Sequence, residues 1–383
     1  MDEIPEAREL SDATIEEMVW MRDPAWEVKR ALPAERGFCS VYQIELTGED
    51  APRECYLKAS PDGDAWNVPA EARIQAVLSA HTQIPVPEVL CAVDDHDTLP
   101  TPFYLMRALP GEELAYERVC RLADDVLGRL ARELGEHLGE LHSIPAVDRF
   151  GHVGHDGPEL TGGSPGGDPA SLAVRAPHES DSPDGDSPEG DSPDGDSHGS
   201  APYEDWPSFL REYCARELDR HANSRFSSLT PAVRRWFEAA ITDLDGPFEP
   251  VLGRNDHGLH NLLVDPETGE ITAMLDWGYT LSVPAAFDVE FAVYLFGGAF
   301  LAGLPDVPDR RSLVREELLS GYRSTAPERV DIISTPEPLY ELLAMVRIMN
   351  DFRHLEVPDG TEETVMDRIE TDARDILDRG PRR

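Results

Sequence analysis

Apolar and polar residues alternate along four short stretches in the first third of the chain: "CSVYQIEL" (39–46), "ECYLKAS" (54–60), "EVLCAVDD" (88–95) and "PFYLMRAL" (102–109). A period of two predicts strands with one buried face. Between the second and third, "PAEARIQAVLSAH" (69–81) carries helix spacing instead. A helix is also predicted over 10–31, with Thr14 and Glu17 at capping-box spacing before Met18, Val19 and Trp20. The expected N-terminal unit is a sheet crossed by one helix.

After Pro110-Gly111 the periodicity changes. Val126, Leu127, Leu130, Leu134, Leu138 and Leu141 form one helical stripe. Helical patterning resumes at Tyr203 and continues to about residue 378, interrupted over 250–276 by a strand–turn–strand pattern. Between these regions, residues 155–202 hold three copies of a five-residue unit, "SPDGDSPEGDSPDGD", and almost no large apolar side chains. Such a segment cannot bury enough surface to fold, so a solvated, disordered insert is expected. It lacks the D-x-D-x-D-G order of a calcium loop.

Charge adds constraints on partners. The chain has 75 acidic against 34 basic residues, a net of -41. That excludes general affinity for nucleic acid or anionic membranes, which require basic patches. Only two of the basic residues are lysines, Lys29 and Lys58. Acidity with lysine depletion resembles the proteins of salt-adapted archaea, which are the expected source. The five scattered cysteines (39, 55, 91, 120 and 214) contain no CxxC pair and read as buried thiols in a reducing cytosol. The N-terminus "MDEIPEAREL" is acidic, unlike a signal peptide, and the apolar run Phe291–Leu304 is too short to span a bilayer. A soluble, cytoplasmic protein is expected.

Candidate chemistry lies in "LGRNDHGLHNLLVD" (252–265), where Asp256 precedes Asn261 by five residues. The following "NLLVDPETGEITAMLDWG" reads as a β-hairpin that delivers Asp276 at its end. Two carboxylates and an amide make an oxygen set suited to Mg²⁺. Phosphoryl transfer also needs a carboxylate to orient the attacking hydroxyl and accept its proton. Asp and Asn often merely cap turns, but all three at these spacings favour a site. Upstream, Lys58 interrupts an apolar strand, and Glu71 opens a helix thirteen residues later. A strand lysine paired with a helix glutamate is the device that grips ATP phosphates in kinase-like proteins. Retaining lysine in a chain so rich in arginine suggests that a compact ammonium is required. The plainer alternative is an edge-strand lysine reaching water.

The set Asp256-x4-Asn261 with "LDWG" (275–278) resembles the aminoglycoside phosphotransferase/choline kinase family, relatives of the protein kinases, whose loop commonly reads H-G-D-x-x-x-x-N. "PAAFDVEF" (284–291) is similar to the family's next acidic segment and implies a structural role for Asp288. The resemblance covers roughly residues 30–150 and 203–350. It implies an α+β, two-lobed, protein-kinase-like fold, with a sheet-rich N-lobe over 1–110 and a mainly helical C-lobe over 111–383. ATP would lie between the lobes, with Lys58 on its phosphates and Glu71 orienting that lysine. Gly37 and Ser40 would form the phosphate-covering turn, and the backbone at Met106 to Leu109 would meet the adenine. Asn261 and Asp276 would hold Mg²⁺, and Asp256 would be catalytic. His142 in "LGELHSIP" is expected to be a packed structural residue.

Two departures stand out. Arg254-Asn255 replaces the family's His-Gly, and Gly258 stands where His is common, with His257 and His260 out of register. Asn tolerates left-handed backbone angles, so that exchange is conformationally mild. Arg254 is expected to pair with Asp276 or Asp288, or to reach a substrate anion. The expected activity is transfer of the γ-phosphate of ATP to a hydroxyl of a small molecule, and a nucleotide-binding pseudokinase is the alternative. A protein kinase is disfavoured because no D-F-G…A-P-E segment follows Asp276.

Overall fold

The computed structural model describes residues 9–34, 39–60, 67–156, 159–175, 202–265, 267–355 and 357–381. The fold is α+β, with a sheet-rich N-terminal region and a helical C-terminal region. Two compact units are present. The first comprises Met1–Pro110, His152–Pro202 and Ala273–Tyr279, and the second Gly111–Gly151, Tyr203–Thr272 and Thr280–Arg383.

The first unit is built on an antiparallel sheet of β1 (Glu27–Pro33), β2 (Ser40–Thr47), β3 (Glu54–Ala59), β4 (Val89–Val93) and β5 (Phe103–Arg107), in the order β1-β2-β3-β5-β4. The first helix is shorter than the expected 10–31: α1 spans Asp12–Trp20, and a strand begins at Glu27. The sequence Asp23-Pro24 accounts for this, because a proline disfavours helical angles in the residue before it. Ser11 caps α1, accepting from the Thr14 N–H.

Alternation along β3 sorts its side chains between two cores. Cys55, Leu57 and Ala59 join the core that also contains Ile15, Met18 and Val19 of α1. The other face carries Tyr56 and Lys58, toward the second core, where Val68 and Ala72 of α2 (Val68–His81) meet Val89, Ala92 and Tyr104. Lys58 therefore lies on a central strand, in register with Val41 on one side and Tyr104 on the other.

Ordered backbone extends further into the low-complexity region than composition predicts. Residues 160–164 lie along the β4 edge: the Asp94 N–H donates to Leu160 O at 2.8 Å, the Ala92 N–H to Gly163 O at 3.1 Å, and the Ser164 hydroxyl to Leu90 O at 3.0 Å. An edge strand offers unpaired backbone groups, and this segment satisfies them without needing large apolar side chains. Leu172–Arg175 then pairs antiparallel with Gly151–His155. The Ser-Pro-Asp-Gly repeats, within 176–201, fall outside the described residues.

In the second unit, the helix Asp124–His142 buries Leu127, Leu130, Leu134, Leu138 and Leu141, the predicted stripe. It runs against the helix Arg311–Thr325 at close range. A Cβ on Gly135 would stand 2.0 Å from Leu318 O, and one on Gly321 would stand 1.8 Å from Arg132 O. The helix Ala285–Phe296 is buried along nearly its whole length. Phe287 stacks on Phe291 and meets Trp206 and Tyr340 edge-on. Asp288 sits inside this apolar helix, fully buried. Among the described residues, no helix is long and apolar enough to cross a membrane.

Candidate active site

In the first unit, Lys58 Nζ lies 2.7 Å from Glu71 Oε2 and 3.4 Å from Asp276 Oδ1. The edge-strand alternative is thereby removed, since the lysine stands on a central strand, its side chain only 14% exposed, and faces two carboxylates. Glu71, on the first turn of α2, also accepts from the Trp277 N–H at 3.3 Å and from the Gln75 amide at 3.5 Å. Burial alone would lower the proton affinity of Lys58, but Asp276 and Glu71 outweigh it and hold the pKa well above its ordinary value. Lys58 is therefore a fixed cation. Asp276 follows the strand Ile271–Met274 with φ 56°, a left-handed angle that Asp tolerates. Its side chain is 38% exposed, so an oxygen remains open to solvent. Ser40 pairs with Ala59 in register, one residue beyond Lys58. Gly37 lies outside the described residues. Met106 pairs with Tyr56 and Val89 within β5, and Leu109 follows the end of that strand.

In the second unit, Val251–Gly253 pairs antiparallel with Leu281–Val283 and leads into the Asp256 loop. The Asp256 carboxylate accepts from the Gly258 N–H at 3.0 Å and from the Asn261 Nδ2 at 2.9 Å. Burial tends to raise its pKa, yet His260, Arg347, the Gly258 N–H and Arg254 together bring it below the ordinary value. The Asp256 N–H closes a tight turn onto Arg254 O at 2.8 Å, over Asn255 at φ 65°. The Gly-to-Asn departure thus preserves the left-handed backbone.

Arg254 holds the loop in a way the sequence does not reveal. Its side chain is buried; Nε donates to Asp256 O at 2.6 Å and Nη2 to Asn261 O at 3.2 Å. The expected pairing with Asp288 is corrected: the backbone N–H of Arg254, not its guanidinium, reaches that carboxylate, at 3.0 Å. One planar, forked cation spans both ends of the loop, which a single-nitrogen side chain could not do.

Asp288 is the anchor beneath the loop. It also accepts from the Asn255 N–H at 2.8 Å, His257 Nε2 at 2.9 Å and His142 Nε2 at 3.2 Å. Burial would raise its pKa, but His257 and His142 hold it well below the usual carboxylate range. His142 is buried as expected and also bonds the Tyr322 hydroxyl at 2.9 Å. His257, out of register with the family pattern, was missed as a supporting residue. So was Arg347, whose Nη1 donates to Asn255 Oδ1 at 2.9 Å. Arg347 stands in no motif and His257 is a variable position inside the Asp256-x4-Asn261 loop, and the contacts of both bridge distant parts of the chain.

A sheet-borne lysine fixed by a helix glutamate, and an Asp–Asn loop anchored on a buried helix carboxylate, define a kinase-like phosphotransferase fold. The chain belongs to the phosphotransferase enzyme family, whose model matches residues 30–331. Its structure is similar to that of a thermostable mutant of aminoglycoside phosphotransferase APH(4)-Ia in ternary complex with AMP-PNP and hygromycin B (TM-score 0.53, 12% identity, 94% of this chain and 98% of that one). It is also similar to ADP-bound aminoglycoside phosphotransferase APH(2'')-Ib (TM-score 0.51, 14% identity, 96% and 99%). A third similar structure is the GDP and kanamycin complex of APH(2")-IIia (TM-score 0.52, 14% identity, 95% and 98%). A curated Arabidopsis thaliana protein, "Probable acyl-CoA dehydrogenase IBR3", is 28% identical over 114 residues, which is 29% of this chain and 14% of that protein's length.

Proposed function

We propose that this protein transfers the γ-phosphate of ATP to a hydroxyl group of a small molecule, with Mg²⁺ as cofactor. The observation that carries the reading is the Lys58–Glu71 contact of 2.7 Å on a central strand, a buried ion pair for which phosphate binding gives a reason. In this reading Lys58 binds the α- and β-phosphates, and Glu71 with the Trp277 N–H fixes its direction. Ser40, Gly37 and the backbone at Met106 to Leu109 complete the nucleotide site. The nucleotides named in the similar structures (AMP-PNP, ADP and GDP) support nucleotide binding and leave the base open.

Asp256 receives the acceptor hydroxyl, orients it and takes its proton as the new P–O bond forms. A carboxylate held below its ordinary pKa is ionised at neutral pH and ready for that role. Asn261 and Asp276 fit a divalent cation by donor type. The Asn261 Nδ2 is committed to Asp256, which turns the amide oxygen away from that carboxylate, and Asp276 keeps an exposed carboxylate. Among the described residues no three His, Cys, Asp or Glu side chains cluster as a metal site, so phosphate oxygens and water would supply the other ligands. Bound there, the cation would neutralise charge on the transferring phosphate.

Complexes with hygromycin B and with kanamycin among the similar structures support a small hydroxyl compound as the acceptor class proposed here. The net charge of -41 supports a cytoplasm of high salt. The test is ADP release coupled to NADH oxidation, over a panel of sugars, amino alcohols, hydroxy acids and aminoglycosides, at low and molar KCl. Acceptor-stimulated release that disappears in Asp256→Ala supports the reading. A rise in melting temperature with Mg·ATP, without turnover on any acceptor, would favour the pseudokinase.

A further inference from the structure

Arg347, in the last turn of the helix Pro338–Asn350, turns its guanidinium onto the residue preceding Asp256. Nη1 donates to Asn255 Oδ1 at 2.9 Å and to the Tyr213 hydroxyl at 3.2 Å, and the guanidinium lies 5.8 Å from the Phe291 ring centroid. The carboxylates on neighbouring helices are engaged elsewhere: Arg220 pairs with both Glu217 and Asp351, and the Asn350 amide donates to Glu217 at 2.8 Å. Among the described residues, no carboxylate lies within ion-pair distance of Arg347, and both of its hydrogen bonds end on neutral oxygens.

Asn255 is thus held at both backbone and side chain, its Oδ1 also accepting from the Tyr213 hydroxyl at 3.5 Å. Asp288 holds its backbone N–H at 2.8 Å, and Arg347 holds its side chain. A glycine at 255 would adopt the same left-handed backbone without strain but would offer no oxygen to Arg347. Replacing the family's glycine by asparagine therefore adds a tether between the loop and the helix Pro338–Asn350.

We propose that Arg347 is a positioning residue for phosphate transfer, acting through the Asn255 side chain to hold Asp256 against the acceptor hydroxyl. This rests on the reading of Asp256 as the acceptor-activating group. Misplacing a reacting group by 1 Å costs roughly 100-fold in rate, so a tether one residue from the base has leverage on kcat. It does not touch the residues proposed to bind nucleotide.

The experiment compares Arg347→Gln, Arg347→Lys, Asn255→Gly and the Arg347→Gln/Asn255→Gly double variant by steady-state kinetics, with hydrogen–deuterium exchange of the 252–262 peptide. Arg347→Gln should lower kcat by roughly 10- to 100-fold. KM for nucleotide should stay within about threefold, and loop exchange should be faster. Asn255→Gly should show the same pattern, the double variant should be no worse than the poorer single variant, and Arg347→Lys should recover part of kcat. Losses that multiply in the double variant, or an unchanged kcat and exchange rate in a folded Arg347→Gln, overturn the proposal. If Arg347→Gln does not fold, Asn255→Gly decides alone by its kcat and loop exchange. If wild type shows no Asp256-dependent transfer, the functional reading itself has failed. Unchanged loop exchange in the variants identifies failure of the tether separately.

Discussion

Substituting lysine for Arg254 keeps the buried charge and removes the fork. The guanidinium reaches Asp256 O at 2.6 Å and Asn261 O at 3.2 Å from two different nitrogens. Lysine has one nitrogen on a flexible stem and can satisfy only one of these carbonyls. At least one charge-assisted hydrogen bond is lost, a contribution of about 1.5–3 kcal/mol. For a unit of this size, each kcal/mol lowers the melting temperature by about 2–4 °C, so a fall of roughly 3–12 °C is expected. Thermal unfolding followed by circular dichroism measures the first effect. Because the lost contact frees one end of the loop carrying Asp256, kcat should fall by roughly tenfold or more while nucleotide affinity is retained. Arg254→His should not restore either quantity, because a neutral imidazole has one N–H donor for the two carbonyls. A variant Arg254→Lys that melts with wild type and turns over normally would refute the view that the fork braces the loop.

Other substitutions probe separate parts of the account. Lys58→Arg should weaken ATP binding at least tenfold in calorimetry, because the planar cation does not fit the 2.7 Å contact with Glu71 on a packed central strand; unchanged affinity would contradict this. Asp288→Asn places an amide NH₂ against N–H donors and should cost about 3–5 kcal/mol in urea unfolding. The folded pKa of Asp288 is depressed, so this loss should be complete above the ordinary carboxylate pKa and shrink as pH falls toward the folded value. Glu133 behaves in the opposite sense: burial raises its carboxyl to about 7, against the Ile271 N–H, which lowers it. Its ionised form destabilises the fold progressively between pH 4.5 and about 7. Glu133→Gln should therefore stabilise by about 1–2 kcal/mol at pH 8 and make no difference below pH 4.5, as thermal melts across pH would show.

The parts of this fold that were legible in the sequence are those written in local periodicity. The four strands, α2 and the helix Asp124–His142 each announce themselves by spacing, and all form. The capping box at Thr14 and Glu17 marks the start of the first helix to within a turn but not its end, which Asp23-Pro24 sets. Residues 159–175 are hidden for a different reason: backbone hydrogen bonds tie 160–163 to the β4 edge and 172–175 to the strand Gly151–His155, which apolar composition does not report. At the candidate site, Lys58, Glu71, Asp256, Asn261 and Asp276 stand at recognisable spacings. The Lys58–Glu71 pair forms as its spacing suggests, whereas the contacts of Asp276 with Lys58 and of Asn261 with Asp256 are ones those spacings do not specify. Of the supports, Asp288 and His142 are legible through the resemblance, and Arg347 and His257 are not. Arg347 contacts a residue 92 positions away, and His257 one 31 away, so neither contact leaves a local pattern.

The central claim is that Asp256 activates an acceptor for phosphate transfer from ATP. Its most direct test is single-turnover transfer of labelled γ-phosphate to an accepted hydroxyl compound, comparing wild type with Asp256→Asn at saturating Mg·ATP. Wild type should yield a phosphorylated acceptor, and the variant should lose roughly 100-fold or more in rate with ATP affinity unchanged. Equal transfer rates in the two proteins would contradict the claim.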